Sequence, residues 1–208
     1  MKPNHFNPIW DSYLAHQDVD VLRQDVLTTP WYRRPTKTTE SLLQRAIEIG
    51  DFPAVKTLVE LGESPALPAD DGFTLLHSAV DMACENEESQ AAIQIVQCLL
   101  ENGGDPNLHG IDGATPLHRA AGSGLAAVVE TMLQHNGDIE SRTLTDGELT
   151  PLMYAAMMGQ SPIVQLLLTQ GADTSARCAE YRGRLTAAEL VEQKNPKNAS
   201  ATLSILRG

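Results

Sequence analysis

The chain has 208 residues, of which 27 are Asp or Glu and 15 are Lys or Arg, and its formal net charge is −12. Because nucleic acids and anionic membranes bind cationic groups, this charge argues against both as partners and favours a protein partner with a basic surface. The alternative is that the charge only keeps an extended molecule in solution. Hydrophobic residues make up 42% of the chain and aromatic residues only 4%. Leu, Val, Ile and Ala must therefore fill the core.

The first predicted helices lie at the start of the chain. Pro8 suits the first turn of a helix, where a missing backbone N–H costs nothing. Leu22, Val26 and Leu27 then follow at helical spacing and predict an amphipathic helix. The segment before Pro8 has no apolar stretch of signal-peptide length, and no run in the chain reaches membrane-spanning length. We therefore expect a cytoplasmic protein.

A seven-residue pattern recurs four times and predicts an internal repeat. Its copies begin at Ser41, Thr74, Thr115 and Thr150. In three of the copies, the last aliphatic residue of the second helix lies 18 positions further on, at Val59, Leu133 and Leu168. Counting back 33 positions from Ser41 reaches Pro8. The start of the chain is therefore predicted to be a diverged repeat, with Ile9 and Trp10 in the places of Leu42 and Leu43.

The best copy of the pattern, Thr115-Pro116-Leu117-His118-Arg119-Ala120-Ala121, resembles the Thr-Pro-Leu-His-x-Ala signature of the ankyrin repeat. The resemblance covers about four-fifths of the chain. It implies an all-α repeat solenoid over residues 1–208, an ankyrin-type stack of about six helix-pair repeats joined by β-hairpin fingers, with diverged first and last repeats as caps. The approximate repeats are 8–37, 38–70, 71–108, 109–145, 146–180 and 181–208.

The third helix pair departs from this spacing. Thr74 to Leu100 spans 26 positions, and eight extra residues are about two helical turns. The preferred interpretation lengthens each helix of the pair by about one turn, around residues 81–92. The alternative is a flexible loop at residues 85–89.

Glycine and asparagine mark the ends of the second helices. These residues tolerate the left-handed conformation that closes many helices, and they stand at Gly62, Gly103, Asn136 and Gly171. The last predicted pair runs from Thr186 to Leu206, with a turn at residues 195–198. Lysine and asparagine replace apolar surface there, as expected of a cap.

No motif predicts catalysis or a cofactor. Cys84, Cys98 and Cys178 form no paired framework and are expected to be free, small hydrophobes in the core. The resemblance implies that His77 and His118 tie helix starts to the backbone of their own and the adjoining finger. His5, His16, His109 and His135 stand alone and are expected at the surface, with no metal-ligand cluster. The aspartates at 70, 71 and 112 have no water-excluding pocket that would separate their pKa values. We therefore predict a protein that is not an enzyme and uses no metal or cofactor.

The resemblance also implies which residues contact a partner, since ankyrin proteins usually bind with finger tips and the exposed ends of first helices. These positions map to a mixed acidic and apolar set. Its members are Asp70, Asp71, Phe73, Asp81, Met82, Ile111, Asp112, Ser123, Asp146, Glu148, Leu149, Met157, Met158, Tyr181 and Arg182. The alternative for the two adjacent methionines is that they only fill gaps between repeats. An aromatic–basic cluster, residues 31–34, is interpreted as a cover for the end of the stack, with a peptide or nucleic-acid contact as the alternative.

Two functions fit this surface. The first is a non-catalytic protein-recognition module, monomeric on its own, whose acidic concave face binds a basic protein. The second is a cytosolic inhibitor or immunity protein that occludes the active site of a specific enzyme or toxin. Both would take affinity from apolar anchors and faster encounter from the acidic groups.

Overall fold

A computed structural model describes residues 7–29, 41–66, 73–85, 89–145, 147–179, 184–194 and 196–207. Within these ranges the chain forms twelve α-helices arranged as six consecutive pairs. They are α1 Pro8–His16, α2 Val19–Thr28, α3 Leu42–Glu48, α4 Phe52–Glu60, α5 Leu75–Glu85, α6 Gln90–Glu101, α7 Pro116–Ser123, α8 Ala126–Gln134, α9 Pro151–Met157, α10 Ser161–Thr169, α11 Ala187–Lys194 and α12 Ala199–Arg207.

The helices stack in two rows. The first helices of successive pairs contact one another from α3 to α11, and the second helices do so from α2 to α12. The two helices of each pair also contact each other. Each pair therefore packs mainly on its neighbours in the chain, as in a solenoid. The predicted all-α stack with diverged end repeats is confirmed.

Threonine and proline begin the central first helices. The Thr115 side chain accepts a hydrogen bond from the His118 backbone N–H, and Thr150 does the same for Met153. A proline follows each threonine at the first helical position, where its fixed φ favours a helix. Asn7 caps α1 ahead of Pro8 in the same way, which confirms the predicted helix start there.

The predicted helix ends are confirmed. Gly62, Gly103 and Gly171 have φ values of 99°, 99° and 93°, and Asn136 has a φ of 64°. In this left-handed conformation the chain can turn back and offer N–H groups to the last carbonyls of the helix. The residue after Asn136 shows this, because the Gly137 N–H donates to the Met132 carbonyl at 2.9 Å.

Aliphatic side chains fill the core between the rows. Ile95, Val96 and Leu99 of α6 are fully buried, and equivalent positions of α8 and α10 are buried as well. Ile9 and Trp10 are also buried, as predicted for a diverged first repeat. Leu27 was assigned to the same apolar face as Leu22 and Val26, but it is half exposed. That part of the prediction was wrong, because Leu27 lies beside the buried stripe of α2.

The third pair is longer than the others, as the preferred interpretation predicted. Helix α5 has 11 residues and α6 has 12, whereas α3 and α7 have 7 and 8, and α4 and α8 have 9 each. The extra length is about one turn in each helix. Residues 86–88 between them lie outside the described ranges.

The third and fourth fingers, which the structure describes apart from residue 146, are turns closed by backbone hydrogen bonds. No β-strand forms within the described ranges, where Thr74 is the one residue that takes part in an isolated β-bridge. The expected β-hairpins are therefore not confirmed. The third finger closes with the Gly110 N–H donating to the Ala114 carbonyl at 2.8 Å. It is joined to the fourth by the Leu144 N–H, which donates to the Gly113 carbonyl at 2.8 Å.

The three cysteines are free, as expected, but they do not share one environment. Cys178 is buried and Cys98 is half buried, whereas Cys84 is exposed. The prediction that all three fill the core was wrong for Cys84, because the extra turn of α5 carries it past the packed part of the helix pair.

Candidate partner-binding surface

The histidines of the signature connect each first helix to the finger that follows it. His118 is fully buried, and its Nε2 donates to the Leu149 carbonyl at 2.9 Å. Its Nδ1 accepts from the Thr115 backbone N–H at 3.3 Å and lies 2.8 Å from the Thr115 hydroxyl. Burial lowers the pKa of His118 to about 4, so the ring is neutral at pH 7. The predicted structural role of this residue is confirmed.

His77 repeats this arrangement one pair earlier. Its Nε2 donates to the Ala114 carbonyl at 3.0 Å, and its Nδ1 accepts from the Thr74 N–H at 3.2 Å. Burial lowers its pKa as well.

His109 was expected at the surface, but it is half buried and contacts the Arg142 carbonyl at 2.9 Å. That expectation was wrong for His109, because the adjoining finger covers one side of the ring, and for His135, which is also half buried. His16 is exposed as expected, and His5 lies outside the described ranges.

Arg119, the residue after the signature histidine, is the centre of a polar cluster. Its Nη1 donates to both carboxylate oxygens of Asp81, at 2.7 and 2.6 Å, and its Nη2 donates to Asp112 at 2.8 Å. Its guanidinium carbon lies 4.5 Å from the centroid of the Phe73 ring, a cation–π distance. Partial burial opposes ionisation of Asp112, but the hydrogen bonds from Arg119 hold the pKa of this carboxyl below its usual range.

A shallow hollow of about 300 Å³ opens beside this cluster; we call it the Tyr154 hollow. It lies between α7 and α9, with the end of α5 on one side. Met158, half exposed, provides apolar surface there. The residues that line the hollow are Asp81, Asp112, Arg119, Gly122, Ser123, Tyr154 and Met158.

A second hollow of about 290 Å³ lies on the other side of Asp81; we call it the Glu48 hollow. Its lining residues are Glu48, Ser78, Asp81, Met82 and Glu85. Neither Glu48 nor Glu85 forms an ion pair with any residue of the described ranges. Asp81 belongs to both hollows, so they form neighbouring parts of one surface.

Apolar side chains also lie exposed on two adjoining fingers. Ile111 is 70% exposed and Leu144, 33 positions later, is 71% exposed. Leu108 is 44% exposed on the same finger as Ile111. We call these three residues the finger ridge. Ile111 immediately precedes Asp112, a lining residue of the Tyr154 hollow, so the ridge and the hollow are neighbours along the chain.

The structure brings part of the predicted contact set together. Asp81, Asp112, Ser123 and Met158 line the Tyr154 hollow, and Ile111 precedes Asp112 in the chain. Phe73 is half buried beneath the guanidinium, Met157 is half buried, and Glu148 is exposed on the fourth finger. Asp70, Asp71, Asp146, Tyr181 and Arg182 lie outside the described ranges, as does the cluster at 31–34.

Met82 and Leu149 were predicted to contact a partner, but their side chains have almost no exposed surface. Met82 is 3% exposed and Leu149 is 2% exposed. A side-chain carbon at Gly50 would lie 3.4 Å from the Met82 sulfur, so this methionine covers the turn of the preceding helix pair. Leu149 is held at both backbone groups, by His118 and by Thr143, and its side chain enters the core. The surface position expected for Leu149 was therefore wrong, whereas Met82 lines the Glu48 hollow and its contact with a partner stays a prediction.

Arg119, Tyr154, Glu48 and Leu144 are part of this surface but were not predicted. For Leu144 a signal was available, because the 33-residue offset from Ile111 points to it directly. One weak signal for Arg119 was present in the sequence, namely that a cationic residue stands between the signature histidine and the two alanines. In the described part of the chain, no grouping of His, Cys, Asp and Glu could hold a metal ion, and no helix is long and apolar enough to cross a bilayer.

Comparison with known proteins agrees with this architecture. A family model described as ankyrin repeats (3 copies) matches residues 82–178. This match assigns residues 82–178, close to half of the chain, to ankyrin repeats, which are protein–protein interaction modules.

Similar proteins come from animals and bacteria. The B-cell lymphoma 3 protein homolog of Mus musculus is 28% identical over 123 residues, 59% of this chain and 26% of the relative. An ankyrin repeat protein of Rickettsia bellii is 30% identical over 145 residues, 65% of this chain and 39% of the relative. The NF-kappa-B inhibitor alpha of Sus scrofa is 38% identical over 89 residues, 40% of this chain and 28% of the relative. The chain thus spans less than half the length of each.

Proposed function

We propose that this protein is a non-catalytic recognition module that binds a protein partner with a basic surface. It does so through the finger ridge and the two hollows of its first helices. The observation that carries the proposal is the exposure of Ile111 and Leu144, at 70% and 71%, at equivalent positions of adjoining fingers. Large apolar side chains that share one surface with polar groups mark interaction sites more often than scattered ones do.

The charge beside the ridge favours a basic partner. The side chains lining the two hollows include four carboxylates and one guanidinium, a local net charge of −3. The whole chain has a net charge of −12. Such a surface speeds encounter with a cationic protein, while buried apolar contacts supply most of the affinity.

The two buried histidines support a non-catalytic role. Both ring nitrogens of His77 and of His118 are hydrogen-bonded to their own repeat and to the next finger, and both rings have no exposed surface. A general acid or base must reach a proton of the substrate. These two rings have no such access.

The test is comparative capture of proteins from the source cells by three forms of the tagged chain. The double variant Ile111→Ser/Leu144→Ser removes the ridge, and Leu27→Ser is the matched control, because Leu27 is half exposed on α2. We expect proteins retained by the wild type and the control to be lost from the double variant. If the double variant captures the same proteins at the same yield, the ridge does not bind them and the proposal fails.

Salt dependence tests the electrostatic part separately. The association rate with a partner identified in this way should fall steeply as salt rises from about 0.05 to 0.5 M, because screening lengths shrink over that range. A rate that does not depend on salt would contradict the proposed basic partner while leaving the apolar ridge in place.

A second candidate is an inhibitor. It is favoured by two relatives whose names describe inhibitors, the NF-kappa-B inhibitor alpha of Sus scrofa and the RelA-associated inhibitor of Mus musculus, the latter 32% identical over 106 residues. An inhibitor should abolish the activity of its partner at one-to-one stoichiometry. An adaptor should leave that activity intact in the complex, so titration of the partner's activity separates the two.

A further inference from the structure

The Tyr154 hollow is lined by Asp112, the residue that follows Ile111 of the finger ridge. We propose that it is an anchor subsite for one apolar side chain on an extended segment of the partner, and that the same segment carries a lysine or arginine over the Glu48 hollow. This inference rests on the proposed function and specifies which chemistry the partner presents.

The floor of the hollow is shaped by a missing side chain. A Cβ atom at Gly122 would lie 2.6 Å from Cδ1 of Tyr154, so the ring packs directly against bare backbone. Met158, which is 51% exposed, would contact the same Cβ atom at 3.5 Å. An aromatic ring and an adaptable thioether beside a glycine give this otherwise polar hollow an apolar part that one side chain can contact.

The rim of the hollow is already fixed. Arg119 is held by two carboxylates from different repeats and by the Phe73 ring. On the opposite side, the Gln160 side chain donates to the Gly122 carbonyl at 3.1 Å and fixes the end of α7. A preformed subsite loses little conformational entropy when it binds, which raises affinity.

The charges select a cationic segment. Among the described residues that line the two hollows, Arg119 is the one cation, and its Nε, Nη1 and Nη2 groups already donate to Asp81 and Asp112. An acidic segment would therefore meet no uncommitted cation there and would be repelled by Glu48 and Glu85. A lysine or arginine next to the anchor would gain from the same two carboxylates.

The experiment uses a random 12-residue peptide library displayed on phage and selected against the full chain. We expect enrichment of peptides with one aliphatic or aromatic residue within about four positions of a lysine or arginine. The consensus peptide, labelled with fluorescein, then gives dissociation constants by fluorescence anisotropy. If nothing is enriched, or if the enriched peptides lack this pairing, the proposal is overturned.

Variants of the chain assign the subsites. Gly122→Ala and Met158→Ser should each weaken binding of the consensus peptide about tenfold, and Glu48→Gln/Glu85→Gln about threefold to tenfold. The matched charge control, Glu101→Gln/Glu130→Gln on α6 and α8, should change it less than about twofold. Far-UV circular dichroism checks the fold of each variant, and Met158→Ser tests the anchor even if Gly122→Ala does not fold.

The anchor assignment can fail without the proposed function. Unchanged peptide affinity in the Gly122, Met158 and glutamate variants would overturn the assignment. The recognition function would still hold if the Ile111→Ser/Leu144→Ser variant no longer captured the proteins that the wild type captures from the source cells. It would then depend on the finger ridge alone.

Discussion

Replacement of His118 by alanine should destabilise the whole stack, because the imidazole joins two repeats inside the core. The change leaves the Thr115 N–H without its partner and removes one of two hydrogen bonds to the Leu149 carbonyl, which still accepts from the Thr143 N–H at 3.0 Å. An unsatisfied buried group costs about 1–3 kcal/mol, and the lost bond to the carbonyl adds about 1 kcal/mol. We expect a loss of about 2–4 kcal/mol from a typical total of about 5–15 kcal/mol.

Equilibrium unfolding in urea, followed by far-UV circular dichroism, measures this loss. His135→Ala is the matched control, because His135 is half buried and contacts the Thr131 carbonyl within its own helix. It should change the free energy of unfolding by less than about 0.5 kcal/mol. His118→Phe keeps much of the volume but not the hydrogen bonds, so it separates packing from bonding. If His118→Ala and His135→Ala unfold at the same urea concentration, the histidine does not tie the repeats together.

The pKa of His118 adds a pH test of the same contact. In the folded protein the pKa is about 4, below the ordinary value of 6.5, so the unfolded chain binds more protons between these values. The contribution of the neutral ring is therefore complete above pH 6.5, decreases as the pH falls towards 4, and changes no further below that. The difference in free energy of unfolding between wild type and His118→Ala should shrink by about 2 kcal/mol between pH 7 and about pH 4.5. An unchanged difference would show that burial does not hold the ring neutral.

Three further variants test other contacts in the same urea assay. Tyr13→Phe should lower the free energy of unfolding by about 1–3 kcal/mol, because the Tyr13 hydroxyl donates a hydrogen bond to Asp51 at 2.5 Å. Burial and Asp51 also raise the pKa of Tyr13, so ultraviolet titration of the wild type should show this tyrosine ionising last. Simultaneous ionisation of all tyrosines would contradict the contact. Asn198→Ala should lower the free energy of unfolding by about 1 kcal/mol, because it removes the hydrogen bond that the Asn198 side chain donates to the Gly159 carbonyl of the preceding helix pair. An unchanged urea midpoint would mean that water replaces this bond. Gly122→Ala should change stability by less than about 1.5 kcal/mol, since better helix propensity offsets displacement of the Tyr154 ring; a larger loss would show that the ring cannot move.

Local sequence signals predicted the elements of the fold well. The Thr-Pro pairs begin α7 and α9, and a glycine or asparagine ends the second helix of each of the four central pairs, because these residues act on the backbone within one turn. The lengthened third pair followed from counting alone, since additional helical residues extend outward without changing the contacts of the neighbouring pairs.

The contact surface was harder to predict, because it depends on which side chains meet across repeats. Asp81 and Arg119 are 38 positions apart in the chain, and their ion pair forms only because α5 and α7 pack side by side. A repeat position also does not say which way a side chain turns. Leu149 was therefore assigned to a finger surface, although hydrogen bonds to its backbone direct the side chain inward.

The histidine contacts also run in one direction along the stack, from each repeat to the next. His77 and His118 each reach forward to the finger that follows, but Met153 occupies the equivalent place in α9 and its thioether cannot donate a hydrogen bond. In α11 the equivalent residue is Glu189, whose carboxylate accepts from the Thr186 N–H of its own repeat. Imidazole therefore joins the third pair to the fourth and the fourth to the fifth, but not the fifth to the last. In α3 the equivalent residue is Gln44, which donates to Glu48 of its own helix. Amide exchange with deuterated solvent should therefore be slowest in the third to fifth pairs and faster towards both ends, since an array of this kind opens most easily where its units are least connected.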